Sequence, residues 1–233
     1  LPRRSRIAVL PPLKNKRPRY ARLCPCYYES TLRNDLVAEA YAENCWASGI
    51  TWTYGGAANN VVSHLLPRGH KVILSIGWGP WEPRLDSREF LLAHEELQAL
   101  SFEGKRLRHK FCPTWMLGDS PEAAQVRADL ESWLLTTVNA HPYFGANWDL
   151  EEPVVDPPTY CVCDRCIQAF RQRAGLATEV PVTPATLLAE HRDAWVEFRC
   201  AQNAQMAGLL RDMLRRAARL IEFSLYSGYQ SKK

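Results

Sequence analysis

Several signatures of common protein classes are missing from this chain of 233 residues. It contains no run of about 18 consecutive apolar residues, so no membrane-spanning helix is expected. Its first residues, Leu-Pro-Arg-Arg, are not followed by the apolar core of a secretory signal, and no initiating Met precedes them. The missing Met suggests an internal segment or a processed product.

Motifs of three enzyme classes are absent as well. No glycine-rich loop ends in Gly-Lys-Ser or Gly-Lys-Thr, no His-Glu-x-x-His occurs, and no Gly-x-Ser-x-Gly is present. The sequence therefore does not indicate a P-loop nucleotide hydrolase, a zincin-type protease or an α/β-hydrolase. The 6 His residues are scattered, which is typical of surface or capping histidines rather than of a metal-ligand pair.

The balance of charge gives little reason to expect a nucleic-acid partner. Lys and Arg number 29 and Asp and Glu number 25, for a net charge of +4. The basic residues cluster at 3–22, 105–110 and 211–219, which we interpret as solvated faces and a basic N-terminal arm. No nucleic-acid-binding motif accompanies them. We therefore expect neither a nucleic-acid nor a membrane partner.

The composition, with 46% hydrophobic and 23% charged residues, is that of a globular domain rather than a disordered one. Short apolar runs predict strands buried on both faces at 6–13, 49–56, 71–78, 144–152 and 220–228. Helical patterns lie between them at 34–48, 57–66, 119–138, 164–174 and 184–220, the last broken once. This alternation predicts an α/β fold with a parallel sheet.

Acidic residues cluster at the end of the strand predicted at 144–152. Strand alternation places Asn147, Asp149 and Glu151 on one face, where polar side chains are costly to bury without partners. Ligands of parallel α/β folds bind at the carboxyl ends of strands. We therefore predict general acid/base chemistry there, with Asp149 in support, over acids that merely cap the next segment. Glu152 lies just past the strand, and the pattern does not choose between Glu151 and Glu152 as the acid.

Aromatic side chains follow two of the predicted strands. Trp78 and Trp81 flank a Gly-Pro pair after the strand at 71–78, and Tyr226 lies near the end of the strand at 220–228. The two Trp residues would suit stacking on a sugar ring, but a Gly-Pro turn with core Trp side chains fits the pattern equally well. We take Trp78, Trp81, Tyr226 and Asn147 as candidate substrate-binding residues.

Three of the 8 cysteines lie within six residues, as Cys161-Val-Cys163-Asp-Arg-Cys166. Disulfides inside so tight a cluster would be strained, whereas thiolates converging on one structural zinc are not. We favour zinc over three reduced thiols, or one disulfide with a free thiol. The candidates for a fourth ligand are Cys24, Cys26, Cys45, Cys112 and Cys200. We choose Cys112, because it also follows a predicted strand at the carboxyl edge of the sheet.

The cysteine spacing resembles the β-galactosidases of glycoside hydrolase family 42. The matching residues are Tyr160-Cys161-x-Cys163-x-x-Cys166-x-x-x-Phe170-Arg171, preceded by His109-x-x-Cys112-Pro113. The resemblance implies a TIM-type (β/α)8 barrel, a structural zinc on the four cysteines, and a proton-donating Glu ending strand four. That family has an Asn directly before this Glu, and the Asn is missing here. Distance to Cys161 favours Glu152, and strand alternation favours Glu151.

A weaker resemblance connects the chain with family 18 chitinases. It rests on the third predicted strand, 71–78, and on Asn147-x-Asp149-x-Glu151. It implies that Glu151 is the acid and that Asp149 assists a substrate acetamido group. The paired Gly after Ser75-Ile76 is absent, and Asn147 replaces the first Asp of the family pattern. Both resemblances imply glycoside hydrolysis at the end of strand four.

The whole chain, 1–233, is interpreted as one partial barrel domain in which 153–219 enlarges the unit after strand four. About five βα units are present, and closing a barrel needs three more of about 30 residues each. The resemblance to family 42 implies the retaining glycosidase clan, whose members have a nucleophilic Glu on strand seven. Retaining hydrolysis needs two carboxyl groups about 5 Å apart. A C-terminal segment or another copy of the chain would have to complete the barrel.

The leading hypothesis is therefore a glycoside hydrolase-like protein that acts on a carbohydrate. The alternative is a non-catalytic carbohydrate-binding or structural barrel fragment that lacks the nucleophile. A zinc ribbon for nucleic acid is disfavoured, because the cysteines lie within an α/β pattern without a basic-aromatic surface. Clustered reduced or metal-bound cysteines, together with the lack of a secretory core, favour the cytoplasm.

Overall fold

The computed structural model describes residues 26–27, 34–47, 49–50, 52–55, 59–76, 80–149 and 161–226. The chain divides into two compact units, Leu1–Leu74 and Ser75–Lys233. The strand predicted at 6–13 lies outside the described residues. So do Trp78, Glu151 and Glu152, and the side chains of Asp149 and Tyr226 are likewise not described.

The first unit alternates short strands and helices. Its elements are β1 (Cys26–Tyr27), α1 (Asp35–Ala47), β2 (Trp52–Gly55), α2 (Asn59–Leu65) and most of β3 (Lys71–Ser75). β1 pairs with β2 and β2 with β3, both in parallel. α1 buries one face through Ala38, Ala42 and Cys45. The parallel pairing confirms alternating βα units in the described part of the first unit.

The second unit begins with an antiparallel hairpin that the sequence pattern did not predict. The elements of this part of the unit are α3 (Ser87–Ala93), β4 (Gln98–Leu100), β5 (Arg106–Phe111) and α4 (Pro113–Met116), and the hairpin consists of β4 and β5. β4 and β5 pair antiparallel, with a register irregularity between Gln98 and Ala99. Most of β5 is exposed, and only its last residues are buried. The hairpin ends directly before Cys112.

The rest of the second unit returns to the predicted pattern. It contains α5 (Pro121–Ala140), β6 (Gly145–Asp149), α6 (Asp164–Ala174), α7 (Pro184–Ala189), α8 (Arg192–Leu214) and β7 (Glu222–Tyr226). α5 begins at the expected Ser120-Pro121 signal, where the Ser120 hydroxyl accepts from the Ala123 N–H. The predicted helix at 184–220 is broken once, as expected, between α7 and α8. β6 and β7 pair in parallel from Gly145↔Glu222 to Asp149↔Tyr226.

The core of the second unit lies around buried aromatic side chains. Trp81 meets Trp148 of β6 edge-to-face, with ring centroids 6.4 Å apart. Phe170 of α6 contacts Trp195 of α8 with ring centroids 5.3 Å apart, which packs the two helices together. α6 ends at Gly175, whose φ of 64° is the left-handed conformation that favours glycine.

The described elements establish an α/β protein with parallel strands. The partial (β/α)8 barrel of TIM type, its single domain and the 153–219 insertion remain predictions. Within the described residues, no helix combines the length and the apolar character needed to cross a membrane.

Candidate functional site

Four cysteines from two separate segments meet in the second unit. Cys112 follows β5 and precedes α4, while Cys161, Cys163 and Cys166 lie before and in the first turn of α6. Their sulfur atoms all lie within 4.8 Å of one another. All four side chains are buried, the most exposed being Cys163 at 7%. The structure thus brings together the four cysteines that the sequence analysis grouped.

The sulfur separations fit a single tetrahedral ion. Cys112 Sγ lies 3.4 Å from Cys163 Sγ and 3.6 Å from Cys166 Sγ. Four sulfurs held about 2.3 Å from a central zinc would be separated by about 3.8 Å. Such a donor set suits zinc or iron, and four protein thiolates leave no position for substrate. The cluster can therefore bind a metal ion, and a metal bound there would have a structural role.

The β4–β5 hairpin holds the cluster from one side. The backbone N–H of Leu100 donates to Cys161 Sγ at 3.2 Å, and the Val162 N–H donates to the Leu100 carbonyl at 2.9 Å. The end of β4 is thereby pinned to the loop before α6. Backbone donors of this kind stabilise negative charge on a thiolate sulfur. The unpredicted hairpin therefore fixes both segments that carry the cysteines.

The thiols share their protons unevenly. Hydrogen bonds from Cys112 first, and then from Cys161 and Cys166, hold the pKa of Cys163 far below that of a free thiol. The hydrogen bond with Cys161 is the largest of several effects that raise the pKa of Cys112. Cys163 also precedes the positive N-terminal end of α6. Metal binding must displace the protons that the thiols carry.

Two other cysteines considered as fourth ligand lie elsewhere. Cys45 is buried in α1 of the first unit, and Cys200 is exposed on α8. Cys24 lies outside the described residues, as does the side chain of Cys26. Among the cysteines that the structure describes, Cys112 is the one that joins the three near α6.

The carboxyl end of β6 is described as far as Asp149. Asn147 is 8% exposed, and its amide Nδ2 donates to Ser224 Oγ of β7 at 2.8 Å. The backbone N–H of Ile76 donates to the Asn147 carbonyl at 2.8 Å. The backbones of Asp149 and Tyr226 are register partners at the carboxyl ends of the neighbouring strands β6 and β7. The predicted acids Glu151 and Glu152 lie beyond the described part of this edge and remain predictions.

Burial changes the interpretation of two strand-end residues. Trp81 is fully buried against Trp148, which fits the core alternative, and its role in substrate binding remains a prediction. Ala146, Asn147 and Trp148 are all buried, so β6 is covered on both faces. The polar side of this strand is therefore not an open surface at Asn147. The Asn147 Oδ1 atom has no hydrogen-bond partner among the described residues.

A buried polar group behind Cys166 escaped sequence reasoning. Thr114 Oγ1 lies 3.1 Å from Cys166 Sγ, and Gln202 Nε2 donates to Thr114 Oγ1 at 2.8 Å. Gln202 Oε1 accepts from Arg199 Nη1 one turn earlier in α8. The available signal was a polar interruption of the apolar face of this helix, where Arg199 and Gln202 occupy inward positions between Trp195 and Met206.

Comparison with known proteins gives a likeness to a solved structure. No protein-family model matches the sequence, and no curated protein matches it. The structure is similar to the crystal structure of a β-galactosidase from the psychrophilic Marinomonas ef1, with a TM-score of 0.53 and 15% identity. The match covers 90% of this chain and 38% of that one. At this identity the likeness shows a similarity in fold alone.

Proposed function

We propose that this chain belongs to a glycoside hydrolase that acts on a carbohydrate in the manner of a β-galactosidase. The likeness in fold to a β-galactosidase over 90% of the chain carries this proposal. The acids that follow β6 in the sequence support it, because enzymes with parallel βα units bind ligands at the carboxyl ends of their strands. Glu151 or Glu152 would donate a proton to the leaving-group oxygen, and Asp149 would support that acid.

We also propose that Cys112, Cys161, Cys163 and Cys166 hold a structural zinc. Four buried sulfurs within 4.8 Å of one another support it. The metal would join Cys112, which directly follows the hairpin, to the loop before α6. It would take no part in bond cleavage, because the four thiolates leave no open coordination position.

The catalytic proposal is tested with the variants Glu151→Gln and Glu152→Gln of the full-length protein. Each variant is assayed with aryl β-galactosides whose phenols range from poor to activated leaving groups. A proton donor matters most for a poor leaving group, so loss of the acid should lower kcat by about 10²- to 10⁴-fold there. The loss should be much smaller for an activated phenol, which departs without protonation.

Glu179→Gln is the matched control, because Glu179 is exposed in the loop after α6. It should leave all rates unchanged. Unchanged rates in both test variants would overturn the catalytic proposal, as would a loss that does not depend on the leaving group. Saccharide binding by the parent protein without any turnover would instead identify a carbohydrate-binding module.

A further inference from the structure

We propose that Arg199, Gln202 and Thr114 form a directed hydrogen-bond chain that compensates the charge of the metal centre and positions Cys166. We call these three residues the donor chain. The inference rests on the proposed metal at the four cysteines. It adds a role for α8, which supplies none of the four sulfur ligands.

The direction of the donor chain follows from its contacts. The Arg199 guanidinium can only donate, so it donates Nη1–H to Gln202 Oε1. This leaves the Gln202 amide nitrogen to donate to Thr114 Oγ1, at 2.8 Å. The Thr114 hydroxyl then has its own hydrogen to donate, and Cys166 Sγ lies 3.1 Å away. Every step points from the cation toward the sulfur.

Charge explains why a chain with this direction is needed. Arg199 is 2% exposed, and no salt bridge joins it to a carboxylate within the described part of the chain. A buried guanidinium without an anion is costly. Four thiolates around a divalent ion carry two excess negative charges. The cluster thus supplies the missing counter-charge, and the donor chain connects the two through hydrogen bonds.

Neighbouring aromatic packing holds the cationic end in place. The Arg199 guanidinium lies 5.8 Å from the ring centroid of Trp195, within reach of a cation–π contact. Gln202 is 8% exposed, so the amide in the middle is also shielded from water. A hydrogen bond to a thiolate in such surroundings lowers the electron donation of the sulfur and fixes its orientation. The donor chain therefore sets both the affinity of the site and the electronic state of one ligand.

The first test removes the last donor with Thr114→Val. Zinc affinity is measured by competition with a chromophoric chelator, and the sulfur-to-cobalt charge-transfer band is recorded after cobalt(II) substitution. Loss of a partner outside the ligand sphere should weaken zinc binding by about tenfold or more. The charge-transfer band should move to lower energy, because the sulfur becomes a better electron donor. Thr114→Ser keeps the hydroxyl and should restore both values.

Thr53→Val is the matched control. Thr53 is a fully buried threonine of β2 whose hydroxyl has no hydrogen-bond partner among the described residues. This substitution also replaces a hydroxyl group by a methyl group, but in the unit whose described residues do not include the cluster. Zinc affinity and the cobalt spectrum should stay at their parent values in this variant.

Gln202→Glu tests direction without removing volume. A carboxylate there would accept from Arg199 as an ion pair and would also accept from Thr114, which turns the hydroxyl hydrogen away from Cys166. A merely structural link predicts unchanged or better metal retention, because an ion pair replaces a neutral contact. The donor chain predicts weaker zinc binding and a shifted cobalt band.

Zinc affinity of Thr114→Val within about twofold of the parent, with an unshifted cobalt band, would overturn the inference. Parent-like zinc binding in Gln202→Glu would also overturn it. A parent chain that binds no metal overturns both this inference and the proposed zinc. A parent chain that binds zinc but cleaves no glycoside refutes the catalytic proposal alone and leaves the donor chain open to the same two variants.

Discussion

Cys112 is the residue on which the metal centre depends most, because it is the one ligand that comes from a distant segment. Replacing it by Ser should leave three sulfurs and reduce the zinc content from about one ion per chain to well below that. We expect the free energy of unfolding to fall by at least ~3 kcal/mol, since loss of a structural metal is among the largest single-residue effects. Elemental analysis and thermal unfolding measure the two quantities.

Cys200→Ser is the control for this prediction. Cys200 is exposed on α8 and lies outside the cluster. It should leave metal content and stability unchanged. Full metal content in Cys112→Ser would show that Cys112 is not a ligand. A parent protein whose thiols can all be titrated in the native state would refute the bound metal.

Local spacing made part of the site predictable. Cys161, Cys163 and Cys166 are close in sequence, so their spacing alone points to a metal. Cys112 required a further step, the prediction that both segments follow strands at one edge of the parallel sheet. In the structure Cys112 instead follows β5 of the antiparallel hairpin, so the residue was predicted correctly but its position in the fold was not. The link between Thr114 and Gln202 spans 88 residues. No local pattern records such a contact, because it depends on how α8 packs against the short helix after Cys112.

The residue type of Trp81 left its environment undecided. A large aromatic side chain at a strand end serves equally well in a core or on a sugar-binding rim. Only its neighbours separate the two, and the contact with Trp148 places it in the core. Composition and position along the strand do not contain that information.

At the scale of elements, the pairing of β6 with β7 requires a glycine at one point. A Cβ at Gly145 would lie 2.7 Å from the Glu222 carbonyl oxygen, which is fixed in the neighbouring strand. Gly145→Ala should therefore lower the free energy of unfolding by about 1–3 kcal/mol. Chemical denaturation measures the change.

Gly208→Ala is the matched substitution in α8. A Cβ there would meet no atom within 4 Å. Because alanine loses less backbone entropy in a helix, this variant should gain about 0.5–1 kcal/mol. Equal effects of the two substitutions would contradict the close approach of the two strands.

The elements that sequence patterns missed share a physical cause. β5 carries Arg106, Arg108, His109 and Lys110 within six residues, so its sequence pattern does not predict a buried strand. Its stability comes from pairing with β4 and from the contact of Leu100 with the cysteine loop. By contrast, α6 has a clear amphipathic pattern and a terminal Gly175, and its predicted bounds agree with the structure. Elements that are stable through local signals were predictable, and those that depend on distant partners were not.

At the scale of the whole molecule, the two units should respond differently to metal removal. All four sulfurs of the cluster come from the second unit, and the described part of the first unit contains no comparable group. Removing the metal with a chelator should free the Leu100 and Val162 amides, which bond to Cys161 and to the hairpin. Their protection against hydrogen exchange should fall by about tenfold or more.

The backbone of α1 in the first unit is the internal reference for this experiment. Its buried face consists of Ala38, Ala42 and Cys45, none of which belongs to the cluster. Because exchange reports the free energy of local opening, α1 amides should keep nearly all their protection when the metal leaves. Equal loss in α1 and at Leu100 would mean that the two units unfold together. Unchanged protection at Leu100 would mean that the hairpin is held by its own packing, and that the cluster contributes little to the fold.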